Sequence, residues 1–278
     1  MIGSLQTGVS GLQQFQEDLQ VIGNNIANVN TVGYKSATMD FQDQLSQSLA
    51  SGSSNSMQIG EGVATGAITS NYTQGTINST GVTTDLAVSG QGFFLVRDTS
   101  SGLTYATRDG EFNLDASGYL VNANGNRVQG LMGASTTPAD LQINSATAIA
   151  ALNDTTTPAP TLQSYTINGN GQITATLSDG TSGVIGQFVL QNFSNPQALQ
   201  KQGGNVYSFS AAAGPLAAPG TPNTAGLGQI QSGALESSNV DLAGQMAGLI
   251  TAQRAFEANA KIITTSDEVL QTLVNLKR

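Results

Sequence analysis

Residues 5–30 read LQTGVSGLQQFQEDLQVIGNNIANVN, and the spacing of their apolar side chains decides how the chain begins. Leu5, Leu12, Leu19 and Ile26 recur every seven residues, and Gly8, Phe15, Ile22 and Val29 follow each of them by three. That is an a/d heptad seam over four repeats, the pattern of an amphipathic helix that lies against another helix. At 1.5 Å per residue the stretch from Leu5 to Val29 spans about 37 Å. The run Asn24, Asn25, Asn28 and Asn30, followed by Gly33, marks its end.

The other end of the chain answers with a second helix. Ser237, Ser238 and Asn239 are N-cap candidates, Asp241 suits the first turn, and Lys277 and Arg278 suit the last. Its seam runs Leu242, Leu249, Phe256, Ile263, Leu270, interleaved with Met246, Gln253, Ala260 and Val274, while Leu273 and Leu276 widen the apolar face. One amphipathic helix alone is more often the wall of an ordinary core. Two of them at opposite ends, with no other helical pattern nearby, imply that the termini meet and everything else is inserted between them.

The middle reads as β. Asp85–Ser89, Gly92–Val96, Thr104–Thr107, Glu111–Leu114 and Gly118–Val121 are short strand candidates separated by Asp109-Gly110, Ala116-Ser117-Gly118 and Asn124-Gly125. A second β region extends from Leu162 to Phe209, with turns at Asn168–Gly171 and Ser178–Gly180. Between the two regions, Gly133 to Pro160 is a loop excursion or a weak helix around Asp140 to Leu152. The fold class is therefore α+β, with N- and C-terminal helices forming an α-helical coiled coil and a mainly-β domain inserted. The boundaries are 1–32 and 238–278 for the helical part, 33–72 for a connecting segment, 73–227 for the β domain and 228–237 for a return linker.

Composition narrows the chemistry. The 278 residues hold 9 Lys plus Arg against 18 Asp plus Glu, a net charge of -9, which leaves no basic footprint for nucleic acid. There is no Cys, His or Trp, so disulfides, thiolate chemistry and the commonest metal ligands are ruled out. No cofactor or metal is expected. No apolar stretch is long enough to span a membrane, and the N-terminus lacks the features of a cleaved secretory signal. An enzyme would have to rest on the carboxylates Asp109, Glu111 and Asp115, but Asp109 and Asp115 sit at turns, where Asp serves the backbone. No catalytic role is assigned. Gly90-Gln91-Gly92 has Leu95 where a dinucleotide fingerprint needs its third glycine, so a close turn is the better reading. A β adhesin or carbohydrate-binding module is a further alternative, although it would not need paired terminal helices.

Three groups of residues together resemble a known family. Asn24 to Lys35, with Asn24, Asn25, Asn28, Gly33, Tyr34 and Lys35, resembles the opening signature of flagellar rod and hook proteins. Gly90, Gly92, Phe93 and Phe94, with Tyr105 to Phe112, resemble the β domain those proteins share. Gly233–Leu242, Gln253–Asn259 and Thr264–Leu270 resemble their C-terminal block. The resemblance implies a structural subunit whose helices line the inside of a tubular homopolymer, with the β domain outside. The ending 267–278, together with Asn195–Leu199 and Asn205–Ser208, favours the hook, a flexible universal joint that passes torque to the filament. The distal rod is the alternative, and matches better in length. The implied partners are other copies of the chain, the distal rod, hook cap and hook-filament junction proteins, and the flagellar export apparatus. The implied location is the extracellular flagellum, reached without a cleaved signal.

Overall fold

The computed structural model describes residues 2–50, 57–133, 135–143, 161–214 and 218–276. Most of the stretch left open between loop and helix lies outside these residues, as do Lys277 and Arg278. Its described part includes a short strand, Ala139–Asp140. Along the chain an N-terminal and a C-terminal helix flank a mainly-β middle, as the α+β reading requires. The chain divides into two compact units, one of Met1–Val29, Lys35–Asn71 and Val240–Arg278, the other of Asn30–Tyr34 and Tyr72–Asn239.

The first unit contains helices α1 (Ile2–Ala27) and α2 (Leu242–Leu276). They run antiparallel: Ser4 meets Ser266, Gly8 meets Ile263, Gly11 meets Asn259, Ile22 meets Gly248 and Asn25 meets Gln245. Glycine allows this approach, since a Cβ on Gly11 would lie 2.9 Å from Asn259 Oδ1 and one on Gly8 would lie 3.2 Å from Ile263 Cγ1. Ala37–Asp43 and Val63–Ser70 pair as an antiparallel ribbon whose register slips between Asp40 and Phe41. The sequence reading treated 33–72 as a connector; much of it is this ribbon, which packs on α1. Its weak alternation explains the difference, because Ala37–Asp43 keeps only Met39 buried. A shorter pair, Gln47–Ala50 with Met57–Ile59, continues the segment.

The second unit is built on a 12-stranded antiparallel sheet. Along its main path the strands are Leu162–Ile167, Gln172–Leu177, Ser182–Phe188, Arg127–Met132, Phe93–Arg97, Thr104–Thr107, Val206–Ser208 and Gln200–Gly203. Successive residues on a strand point to opposite faces, so Phe93 and Phe94 enter different cores. Phe94 packs with Phe112, Leu120, Val128, Ile185 and Phe188, while Phe93 joins Ala106, Phe193, Leu199 and Tyr207. The Phe94 and Phe112 rings meet edge to face with centroids 5.3 Å apart. The segment read as a return linker, 228–237, contains strand Gln229–Ser232 paired with Leu86–Ser89, and strand Ala234–Glu236 paired with Ile77–Ser79.

Candidate assembly interface

Helix α2 is too apolar for the cover it has. Among its described residues only Ala252 is buried, and Leu249, Phe256, Ile263 and Leu270 of its predicted seam are half-buried. Leu242, Met246, Ile250, Ile262, Val269, Leu273, Val274 and Leu276 are exposed, with Leu276 at 81%. At 100° per residue, Leu242, Met246 and Ile250 lie on one flank of the covered stripe, and Ile262, Val269, Leu273 and Leu276 lie on the other. Ser266 is opposite Ser4, so the ten residues Asp267–Leu276 extend about 15 Å beyond that contact. A helix with apolar side chains on both flanks is built to meet more than one neighbour.

Helix α1 shares its apolar residues between two partners. Ile22 is buried against α2, whereas the Phe15 ring lies 5.4 Å from that of Phe41 on the ribbon. Leu5, Leu12, Leu19, Ile26 and Val29 are half-buried. The approaches to α2 through Ser4, Gly8, Gly11, Ile22 and Asn25 follow one predicted row and a second row one residue earlier than Leu5, Leu12, Leu19 and Ile26. A single helical seam cannot distinguish one neighbour from two, and the ribbon was the neighbour not foreseen.

The asparagines of the family motif have separate structural tasks. Asn25 is buried; its Nδ2 donates to the Ala37 carbonyl at 2.7 Å and to Gln245 Oε1 at 3.0 Å, while its Oδ1 accepts from the Ala37 N–H at 2.9 Å. One side chain thus fastens α1 to the ribbon and to α2. Asn28 Nδ2 donates to the carbonyl and the side-chain oxygen of Asn24, closing the end of α1. The ribbon is also held by Thr65, whose hydroxyl donates to Glu17 at 2.6 Å and to Gln14. Lys35 is fully buried.

In the second unit the remaining motif residues converge on a pair that sequence reasoning missed. Arg108 and Glu236 are both buried, 3.3 Å apart. Arg108 also donates to the Gly90 carbonyl at 2.9 Å and lies 5.0 Å from the Phe93 ring centroid; the second Glu236 oxygen accepts from the Gly75 N–H at 2.9 Å. Burial pushes the Arg108 guanidinium below its ordinary value, and Glu236 opposes that shift. Gly90 (φ +112) and Gly92 (φ +126) make the turn that presents this carbonyl and starts the strand of Phe93 and Phe94. Gly33 (φ +66) donates its N–H to the Glu236 carbonyl at 2.7 Å, and a Cβ there would lie 2.7 Å from the Arg108 carbonyl carbon. Tyr34 is buried beneath the Lys201 ammonium, 4.7 Å from its ring centroid, and burial raises its phenol. Nothing in the sequence reading pointed to the ion pair: Arg108 follows the strand candidate Thr104–Thr107, and Glu236 lies in the segment read as a return linker.

Two of the three candidate carboxylates, Asp109 and Asp115, are occupied by backbone. Asp109 Oδ1 accepts from the Glu111 N–H at 3.1 Å, and Asp115 Oδ1 accepts from the N–H groups of Ser117 and Tyr119 at 2.8 and 2.9 Å. Among the described residues no group of three or more acidic side chains could hold a metal ion, and no helix is long and apolar enough to cross a membrane.

Three family models match the chain in order. "Flagella basal body rod protein" covers residues 5–35, "Flagellar hook protein FlgE/F/G D1 domain" covers 87–175 and "Flagellar basal body rod FlgEFG protein C-terminal" covers 231–276. The flagellar basal-body rod protein FlgG of Bacillus subtilis is 41% identical over 287 aligned positions, covering 100% of both chains. That of Agrobacterium fabrum is 36% identical over 279 positions, with 96% of each chain covered. The flagellar hook protein FlgE of Borreliella burgdorferi is 29% identical over 444 positions, again covering 100% of both chains. Matching signatures on α1, the central sheet and α2, and a full-length relation at this identity, make the chain a member of the flagellar axial family, the structural subunits of rod and hook.

Proposed function

We propose that the chain is a rod subunit of the flagellar basal body, assembling through α1 and α2 into a straight helical tube. The observation that carries this reading is collinearity. The rod relative aligns end to end over 287 positions, whereas the hook relative needs 444 for a chain of 278. The hook, favoured by the sequence motifs, is the second reading. Its universal-joint role asks for outer contacts that exchange neighbours, and those motifs remain its support.

Assembly is carried by the exposed apolar flanks of α2 and by the seam residues of both helices, from Leu5 to Val29 and from Leu242 to Leu273. A contact of this kind between unlike surfaces produces a filament when its rotation does not close into a ring, as the tubular assembly requires. The partners are further copies of the chain, neighbouring axial proteins and the flagellar export apparatus. Purified chain under polymerising conditions should give straight tubes in electron micrographs. Tubes whose curvature varies with salt or pH transfer the assignment to the hook. Leu249→Asp should abolish polymers while leaving the second unit folded.

A further inference from the structure

Arg97 and Arg127 are direct register partners on adjacent antiparallel strands. Like charges opposite one another in a sheet repel, so such a pair needs compensation. One carboxylate supplies it: Asp140 accepts from Arg97 and, at 3.3 Å, from Arg127, while Gln129 donates to its other oxygen. Burial alone would raise the Asp140 carboxyl, but the hydrogen bonds from Gln129, Arg97 and Arg127 outweigh it and hold the group below its ordinary value. The Arg127 guanidinium is stacked 3.8 Å from the Tyr119 ring centroid, which fixes its plane. Among the described residues Arg97 Nε is buried with no hydrogen-bond partner.

Two guanidiniums therefore face one carboxylate whose oxygens are already engaged. The side chains of Arg97 and Arg127 are still 43% and 29% exposed. They border a cleft of about 400 Å3 lined by Arg97, Tyr119, Gln129, Met132, Pro138 and Gln142 among others. Among the described residues the site sets two guanidiniums against one carboxylate, a net positive charge of one that is partly open to solvent. Beside it, sharing Gln129 and Pro138, lies a mainly apolar cavity of about 530 Å3 lined by Leu95, Phe209 and Pro219.

We infer that this cleft receives a carboxylate side chain, flanked by an apolar residue, from a second copy of this chain in the assembled tube. The inference rests on the assembly reading above. Charge complementarity selects the occupant: copies carrying a net charge of -9 repel when packed, and this cleft is a point where a subunit presents net positive charge. A planar guanidinium fork suits a carboxylate acceptor. The loop carboxylates Asp98, Asp115 and Asp179 of the second unit, although each also accepts from its own turn, supply the matching chemistry.

The test uses charge variants of the full chain that move the cleft in opposite directions. Arg97→Gln leaves Arg127 and Asp140 as a neutral pair. It should raise the critical concentration for polymerisation about fivefold at low salt and flatten its dependence on NaCl. Asp140→Asn adds net positive charge and should lower the critical concentration; a purely structural role would weaken assembly in both variants. Arg127→Gln, which neutralises the cleft from the other side, should reproduce Arg97→Gln; if the Asn variant does not fold, a flattened NaCl dependence in both glutamine variants separates a charge contact from a structural role. Unchanged critical concentration and salt dependence in both glutamine variants overturns the inference. If acetate shifts the Arg97 and Arg127 side-chain NMR signals in dilute protein while those variants polymerise like wild type, the cleft binds a free small carboxylate, which also overturns it. Wild-type chain that forms no polymer under any condition overturns the assembly reading, and the inference falls with it.

Discussion

Replacing Glu236 by Ala isolates what the buried pair contributes. The change removes the carboxylate paired with Arg108 at 3.3 Å and leaves the Gly75 N–H without its 2.9 Å side-chain acceptor. Breaking a buried pair from one side costs about 3–5 kcal/mol, because the remaining charge stays desolvated. Arg108 keeps the Gly90 carbonyl at 2.9 Å, which favours the lower half of that range, about 3–4 kcal/mol. At roughly 2–4 °C per kcal/mol, the melting temperature of the second unit should fall about 6–16 °C. Hydrogen exchange at the core amides of Phe94 and Val128 reads that unit directly, and their protection should drop roughly 100- to 1,000-fold. The double replacement Arg108→Met with Glu236→Leu should recover most of the loss, since a buried pair often yields to apolar residues of similar volume without penalty. A loss below about 1 kcal/mol in the single variant, or a double variant as unstable as the single, would refute the reasoning.

Gly33→Ala should destabilise by about 2 kcal/mol or more, from the φ of +66 and from the 2.7 Å approach to the Arg108 backbone, measured by urea unfolding. Asn25→Leu removes three hydrogen bonds at a buried position and should cost about 2–4 kcal/mol, read as faster hydrogen exchange in α1 and the Ala37–Asp43 ribbon. Two carboxyls should give opposite pH signatures in thermal unfolding. Asp140, held below its ordinary value, stabilises above the unfolded-state pKa and loses that contribution as pH falls through its folded value, so Asp140→Asn should flatten the acid limb. Asp109 is raised by burial, so its contribution is full at acid pH and lost as pH rises through the folded value; Asp109→Asn should gain relative to wild type near neutrality.

The helices and hairpins were legible because each is announced locally. Heptad spacing gave α1 and α2, and Asn168–Gly171 and Ser178–Gly180 fall at the turns joining Leu162–Ile167, Gln172–Leu177 and Ser182–Phe188. The ribbon within 33–72 was not legible. Ala37–Asp43 is mostly exposed and Val63–Ser70 has no buried residue, so the strands lack the alternation that marks a half-buried sheet. Long-range polar pairs were equally silent. Arg108 and Glu236 stand 128 residues apart, and nothing near either residue names the other. The cleft residues Arg97, Arg127 and Asp140 come from two paired strands and a short third one, and only register brings them together. The family motifs were visible as strings, but the tasks of Asn25, Gly33 and Gly90 required coordinates.

The antiparallel meeting of α1 and α2 sets the order in which a newly made subunit can mature. Ser4 finds Ser266 across 262 positions of chain, so α1 is synthesised first and must wait for nearly everything else before its partner exists. Contacts so distant in sequence form late, because the entropy of closing the loop must be met before they give anything back. A polypeptide cut short by a stalled ribosome or by a protease can complete hairpins in its β region, yet it has no α2 with which to close the pair. The architecture thereby makes the arrival of α2 a built-in inspection of the chain between Ser4 and Ser266.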